Sequence, residues 1–185
     1  MEARTHNTEQ ECRTLLRSCR ELFEKKLHDY GAAWRILRPE SLTDQIYIKA
    51  ERIRSLQING FAAVDEGVEP EFIGIINYGI IGMIQLERGA VSSPDLSPGE
   101  ALAEYDRYAE KTLQLMLAKN HDYGEVWRNM RVTSMTDLIL SKVHRTKQIE
   151  DLRGETFVSE GIEANYMDMV NYALFCLIKL NSPEA

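Results

Sequence analysis

His28-Asp29-Tyr30-Gly31, followed by Trp34, Arg35 and Arg38, returns as His121-Asp122-Tyr123-Gly124, followed by Trp127, Arg128 and Arg131. Between Lys26 and Arg52, 14 of 27 positions are identical to those 93 residues later, so the chain is a tandem duplication and must fold as two copies of one unit. After one added residue the correspondence resumes at an offset of 94, where Glu66, Gly67, Glu69, Asn77 and Tyr78 meet Glu160, Gly161, Glu163, Asn171 and Tyr172. Each copy has roughly 80 residues, near the lower limit for an independent core. The two are therefore expected to pack together with pseudo-two-fold symmetry.

The apolar pattern within each copy has the helical period. Leu15, Leu16, Cys19, Leu22 and Phe23 form one stripe, and Leu102, Tyr105, Ala109, Leu113, Met116 and Leu117 form its counterpart. Both helices run into Asp-Tyr-Gly, where Gly31 and Gly124 are expected at positive φ. Second helices are predicted to begin near Ser41 and Ser134, with serine or threonine hydroxyls as caps. Third helices are predicted over about Glu69–Arg88 and Glu163–Asn181. Gly74, Gly79 and Gly82 lie inside the first of these, against Asp168, Ala173 and Cys176 in the second. Glycine weakens a helix interior by about 1 kcal/mol, so three of them suggest close backbone contact with the other copy, with drift in a degenerate copy as the alternative. The reading is all-α: a repeat over 1–88, a Ser/Pro-rich linker over 89–99 and a second repeat over 100–185.

A net charge of −7 argues against general nucleic-acid binding but leaves room for a small nucleotide on a local basic cluster. The longest apolar run, Phe72 to Leu86, is interrupted by Asn77 and three glycines and is too short for a membrane span. The charged first residues do not resemble a signal peptide. Cys12, Cys19 and Cys176 lack metal-ligand spacing and read as reduced thiols, so a cytoplasmic protein is expected.

Two clusters could carry chemistry. Lys49 and Arg52 recur as Lys142 and Arg145, and a spacing of three puts each pair on one helical face. Such a pair suits a phosphate, with arginine bidentate and lysine as a point charge; the structural alternative is a salt bridge to an acidic residue on a neighbouring helix. Glu160, Glu163 and Asp168, followed by Asn171 and Tyr172, offer oxygen ligands of the kind Mg²⁺ takes. Helix capping and a buried Asp168–Lys or Asp168–Arg pair are the structural alternative. The His-Asp dipeptides suggest a two-metal phosphohydrolase site, but only His6 and His144 remain as further histidines. Asp29 and Asp122 read instead as turn anchors, and Trp34 and Trp127 as core residues able to stack beside the arginines that follow them.

Asp-Tyr-Gly, a following tryptophan, Lys-X-X-Arg, acidic residues and Asp-X-X-Asn-Tyr together resemble the bacterial and phage family called nucleotide modification associated domain, first type. The second repeat carries the whole pattern in Asp122-Tyr123-Gly124, Trp127, Lys142, Arg145, Glu160, Asp168, Asn171 and Tyr172. The first repeat departs from it at Gly74, where the aspartate is missing. The residue before Asp122 is outside the pattern, which counts against a His-Asp metal site. The resemblance implies an all-helical fold and an association with nucleotide or modified-base metabolism, with Asp122, Trp127, Asn171 and Tyr172 added to the basic pairs as nucleotide contacts. The third helix is also distantly similar to all-α nucleoside triphosphate pyrophosphohydrolases of the MazG-like and dimeric dUTPase group, which hold Mg²⁺ on carboxylates. Their second acidic pair is replaced here by Asp168-X-X-Asn171. Two readings stand at this point. In one, the chain is a Mg²⁺-dependent nucleotide pyrophosphohydrolase with Glu160, Glu163 and Asp168 as metal ligands and catalytic residues. In the other, it is a non-catalytic binding module or scaffold whose charges form a structural network. A homo-oligomer is compatible with both.

Overall fold

The computed structural model of the chain describes residues 7–60, 67–155 and 160–182, and every regular element among them is helical. His6 and Glu66 lie outside these residues. Six α-helices follow in order: α1 (Thr8–Tyr30), α2 (Pro39–Asn59), α3 (Glu69–Arg88), α4 (Pro98–Tyr123), α5 (Val132–Asp151) and α6 (Ile162–Leu180). Short 3₁₀ turns at Ala33–Ile36 and Val126–Asn129 precede α2 and α5. The three-helix unit is thus built twice.

The helix ends follow local chemistry. α1 and α4 stop at Gly31 (φ 65°, ψ −161°) and Gly124 (φ 66°, ψ −167°). Positive φ was expected at both, but the backbone adopts the mirror image of an extended strand, a region almost reserved for glycine. α4 begins with Ser97 as cap, Pro98 in its first turn and a reciprocal Ser97–Glu100 capping box, so the linker ends earlier than residue 99. The expected hydroxyl caps of α2 and α5 are not used. These helices start two residues before Ser41 and Ser134, after Arg38 and Arg131, with Pro39 at the α2 start, and neither has a side-chain cap.

The freed threonine hydroxyls join the repeats. Thr43 Oγ1 on α2 donates to Glu150 Oε1 on α5 at 2.6 Å, and Gln57 Nε2 on α2 donates to Thr136 Oγ1 on α5 at 3.0 Å. Lys147 pairs with Asp44 at 2.6 Å, and Arg54 pairs with Asp137 at 3.8 Å. Thr43 aligns with Thr136, Gln57 with Glu150, Asp44 with Asp137 and Arg54 with Lys147. When residue i of one copy meets j of the other, and j meets i, the two copies are related by a two-fold axis.

α2, α3, α5 and α6 form the central body, with α3 against α6 as its most extensive contact, and α1 and α4 pair with each other across α3 and α6. Close approach of α3 and α6 requires Gly79 and Gly82, whereas Gly74 faces Lys49 of its own repeat and not the other copy. A Cβ at Gly79 would lie 2.6 Å from Val170 Cγ2, and one at Gly82 would lie 2.9 Å from the Tyr166 ring. Asn77 and its counterpart Asn171 both hold the preceding layer, donating to the carbonyls of Cys19 at 3.2 Å and Thr112 at 3.4 Å. The three cysteines are free and buried, and burial pushes each thiol up to about 12, which makes them unreactive. Among the described residues no helix is long and apolar enough to cross a membrane.

Candidate functional site

In the second repeat the charged residues converge on Asp168. This residue sits in the middle of α6 and is 8% exposed, because the helix that carries it is apolar on nearly every side. Lys142 of α5 reaches one carboxylate oxygen at 2.7 Å, and Lys119 of α4 reaches the other at 2.8 Å. Burial alone pushes the Asp168 carboxyl up; the two ammonium groups together outweigh it and hold the carboxyl below its usual range. Burial likewise opposes charge on Lys119, and the bond to Asp168 outweighs it, so its ammonium is held above its ordinary value. Tyr172, one turn on, is half-buried; its phenol is pushed up first by burial and then by the Asp168 charge, and stays neutral.

Arg145 lies one turn beyond Lys142 on the same face of α5. It is exposed and makes no hydrogen bond or ion pair with any described residue. The first repeat arranges its basic pair differently. Lys49 pairs with Glu71 at 3.2 Å, and Arg52 makes a close contact with the other oxygen of the same carboxylate. Lys49 also lies over the Tyr78 ring, 5.8 Å from its centroid.

The remaining candidates are dispersed. Glu163 is held by Lys111 at 2.7 Å, and Glu160 is exposed. No group of three His, Cys, Asp or Glu side chains among the described residues is placed to share a metal ion. Both Asp168 oxygens already accept from ammonium groups, so the expected Mg²⁺ ligands Glu160, Glu163 and Asp168 do not fit that ion in this arrangement. Asp122 is exposed beside His121 at the end of α4, 3.2 Å from its Nδ1, and His28 with Asp29 repeats the arrangement at 3.3 Å. Trp127 is closed to a base: it is buried, stacked on Phe175 at 4.2 Å between centroids, and covered by the Arg128 guanidinium at 4.3 Å. Asn171 is buried and positions α4, as described above.

Two participants escaped the sequence reading. Lys119 is identical to Lys26 of the other copy, a signal that was available but ambiguous among many surface lysines. Glu71 aligns with the neutral Asn165, so the duplication itself concealed it.

The profile of the family described as nucleotide modification associated domain 1 matches residues 26–86 and 119–180, one segment in each repeat and together more than half of the chain. Searches of curated proteins and of solved structures found no match, so the likeness to MazG-like enzymes gains no support from them. Two matched segments, each covering the end of a first helix and the second and third helices of one repeat with its Lys-X-X-Arg pair, establish that the chain belongs to the nucleotide modification associated domain 1 family.

Proposed function

We propose that the protein is a cytoplasmic nucleotide-binding component of nucleotide or modified-base metabolism, and that its second repeat holds the nucleotide. Lys119, Lys142 and Arg145 bind the phosphates, and Tyr172 borders them with a neutral phenol. The observation that carries this reading is Arg145: one turn from Lys142 on the same face of α5, it is exposed without a partner among the described residues, while Lys119 and Lys142 share Asp168. Arginine in that state offers a planar fork suited to phosphate oxygens.

The reading contains no hydrolytic step, since Glu163 and Asp168, two of the three carboxylates that would serve one, are paired with lysines. That pairing also favours a second reading, in which the network only holds the helices together and the protein is a scaffold. A thermal-shift panel of nucleoside mono-, di- and triphosphates, with and without Mg²⁺, separates the cases. A ligand at a hundredfold its Kd stabilises by about 2.7 kcal/mol, or roughly 5–10 °C for a chain of this size. We expect such a shift without Mg²⁺. No shift with any nucleotide would leave the scaffold reading, and a shift confined to Mg²⁺ with release of pyrophosphate would restore the hydrolase.

A further inference from the structure

The two repeats keep the same basic pair but place its carboxylate differently on the third helix. Glu71 aligns with Asn165 and Gly74 aligns with Asp168, so the acid has moved by three residues, one helical turn. In the first repeat, Glu71 takes both Lys49 and Arg52. Gly74 makes this reachable: a Cβ there would lie 2.4 Å from Lys49 Cε and 2.5 Å from Cδ, so the lysine stem crosses the space a side chain would fill. In the second repeat, Asp168 draws Lys142 and Lys119 to itself. Asn165 donates from Nδ2 to the Gly161 carbonyl at 3.0 Å, and its buried Oδ1 has no partner among the described residues. Among the described residues Arg145 therefore lacks the carboxylate that its counterpart Arg52 has.

We propose that the position of this one carboxylate decides which repeat accepts an external anionic group. Glu71 fills the anion position of the first repeat from within. Asn165 with Asp168 leaves the equivalent position beside Arg145 open to a phosphate-bearing ligand. This rests on the nucleotide reading above and adds two statements: the chain takes one such ligand, and the residues at 71/74 and 165/168 select the repeat that holds it.

The direct test exchanges the arrangements and counts bound inorganic pyrophosphate by calorimetry. E71N/G74D gives the first repeat the second's pattern, and N165E/D168G does the reverse. Lys49 can move aside for an aspartate at 74, because the atoms it presents there are the far end of a flexible side chain. The wild type is expected to bind one pyrophosphate, E71N/G74D two and N165E/D168G none, all with unchanged helical content. E71Q, which preserves shape, serves as the second probe of the first repeat and is also expected to bind two. One pyrophosphate on every variant at wild-type affinity overturns the proposal, as does no binding by any of them. If the wild type binds none while E71Q or E71N/G74D gains one, the carboxylate rule stands and the nucleotide reading of the second repeat fails.

Discussion

Asp168 holds two lysines at a position where burial alone would favour its neutral form. Removing its charge by Asp168→Asn strands Lys142, which is largely buried, while Lys119 can turn to solvent. We predict a loss of roughly 2–3 kcal/mol in chemical denaturation, less than the full cost of breaking a buried ion pair because Lys119 can turn to solvent. The pH dependence follows from the lowered folded-state carboxyl: its stabilisation is present above the unfolded carboxylate range and is lost as pH falls through the folded value. Asp168→Asn should therefore flatten the acid limb of the stability curve. Gly31 and Gly124 make a second prediction at this scale. An added Cβ meets no atom within 4 Å at either site, so the cost of alanine is conformational alone. Each Gly→Ala change should lower stability by about 1–3 kcal/mol, and an unchanged melting temperature would contradict the backbone assignment.

The helices show where sequence was informative and where it stopped. α3 was legible to its ends, because a proline in its first turn and Gly89 after its last residue bracket an apolar run. The starts of α2 and α5 were misplaced, because the hydroxyls that resemble caps serve the α2–α5 contact instead. The aspartate missing at Gly74 was visible in the alignment; that Glu71 replaces it from one turn away was not, since only the packed helices show which acid reaches Lys49. One product of the α2–α5 contact is titratable. Glu150 replaces Gln57 and Tyr166 replaces Phe72, and Tyr166 hydroxyl lies 2.6 Å from Thr43 Oγ1 and 3.0 Å from the Pro39 carbonyl. Burial first, then Glu40 and Asp44, push the Glu150 carboxyl up to about 7, against the opposing effects of Thr43 and Lys147. A raised carboxyl gives stability that is fully present below the unfolded value, near 4.3, and is lost as pH rises through about 7. Glu150→Gln, which copies the other repeat, should stabilise the protein at pH 8 and remove the slope between those values. Equal slopes in both proteins would show that Glu150 does not titrate there.

Across the whole molecule, duplication produced a symmetric frame with an asymmetric charge pattern. Reciprocal pairs across α2 and α5 and the glycine-mediated α3–α6 contact hold the frame, and both repeats keep the tryptophan, the asparagine and the basic pair. What differs is whether the arginine of the basic pair meets a carboxylate among the described residues: Arg52 meets Glu71, and Arg145 meets none. The central claim is that the second repeat holds the nucleotide and the first does not. Its most direct measurement is calorimetric titration of wild type, Arg145→Gln and Arg52→Gln with the nucleotide that gives the largest thermal shift. Loss of one charged hydrogen-bonding group from a phosphate site costs about 1.5–3 kcal/mol, or roughly ten- to a hundredfold in affinity. We expect that loss for Arg145→Gln and wild-type affinity for Arg52→Gln, whose neighbour Lys49 still neutralises Glu71. Equal weakening by both substitutions, or by Arg52→Gln alone, would contradict it.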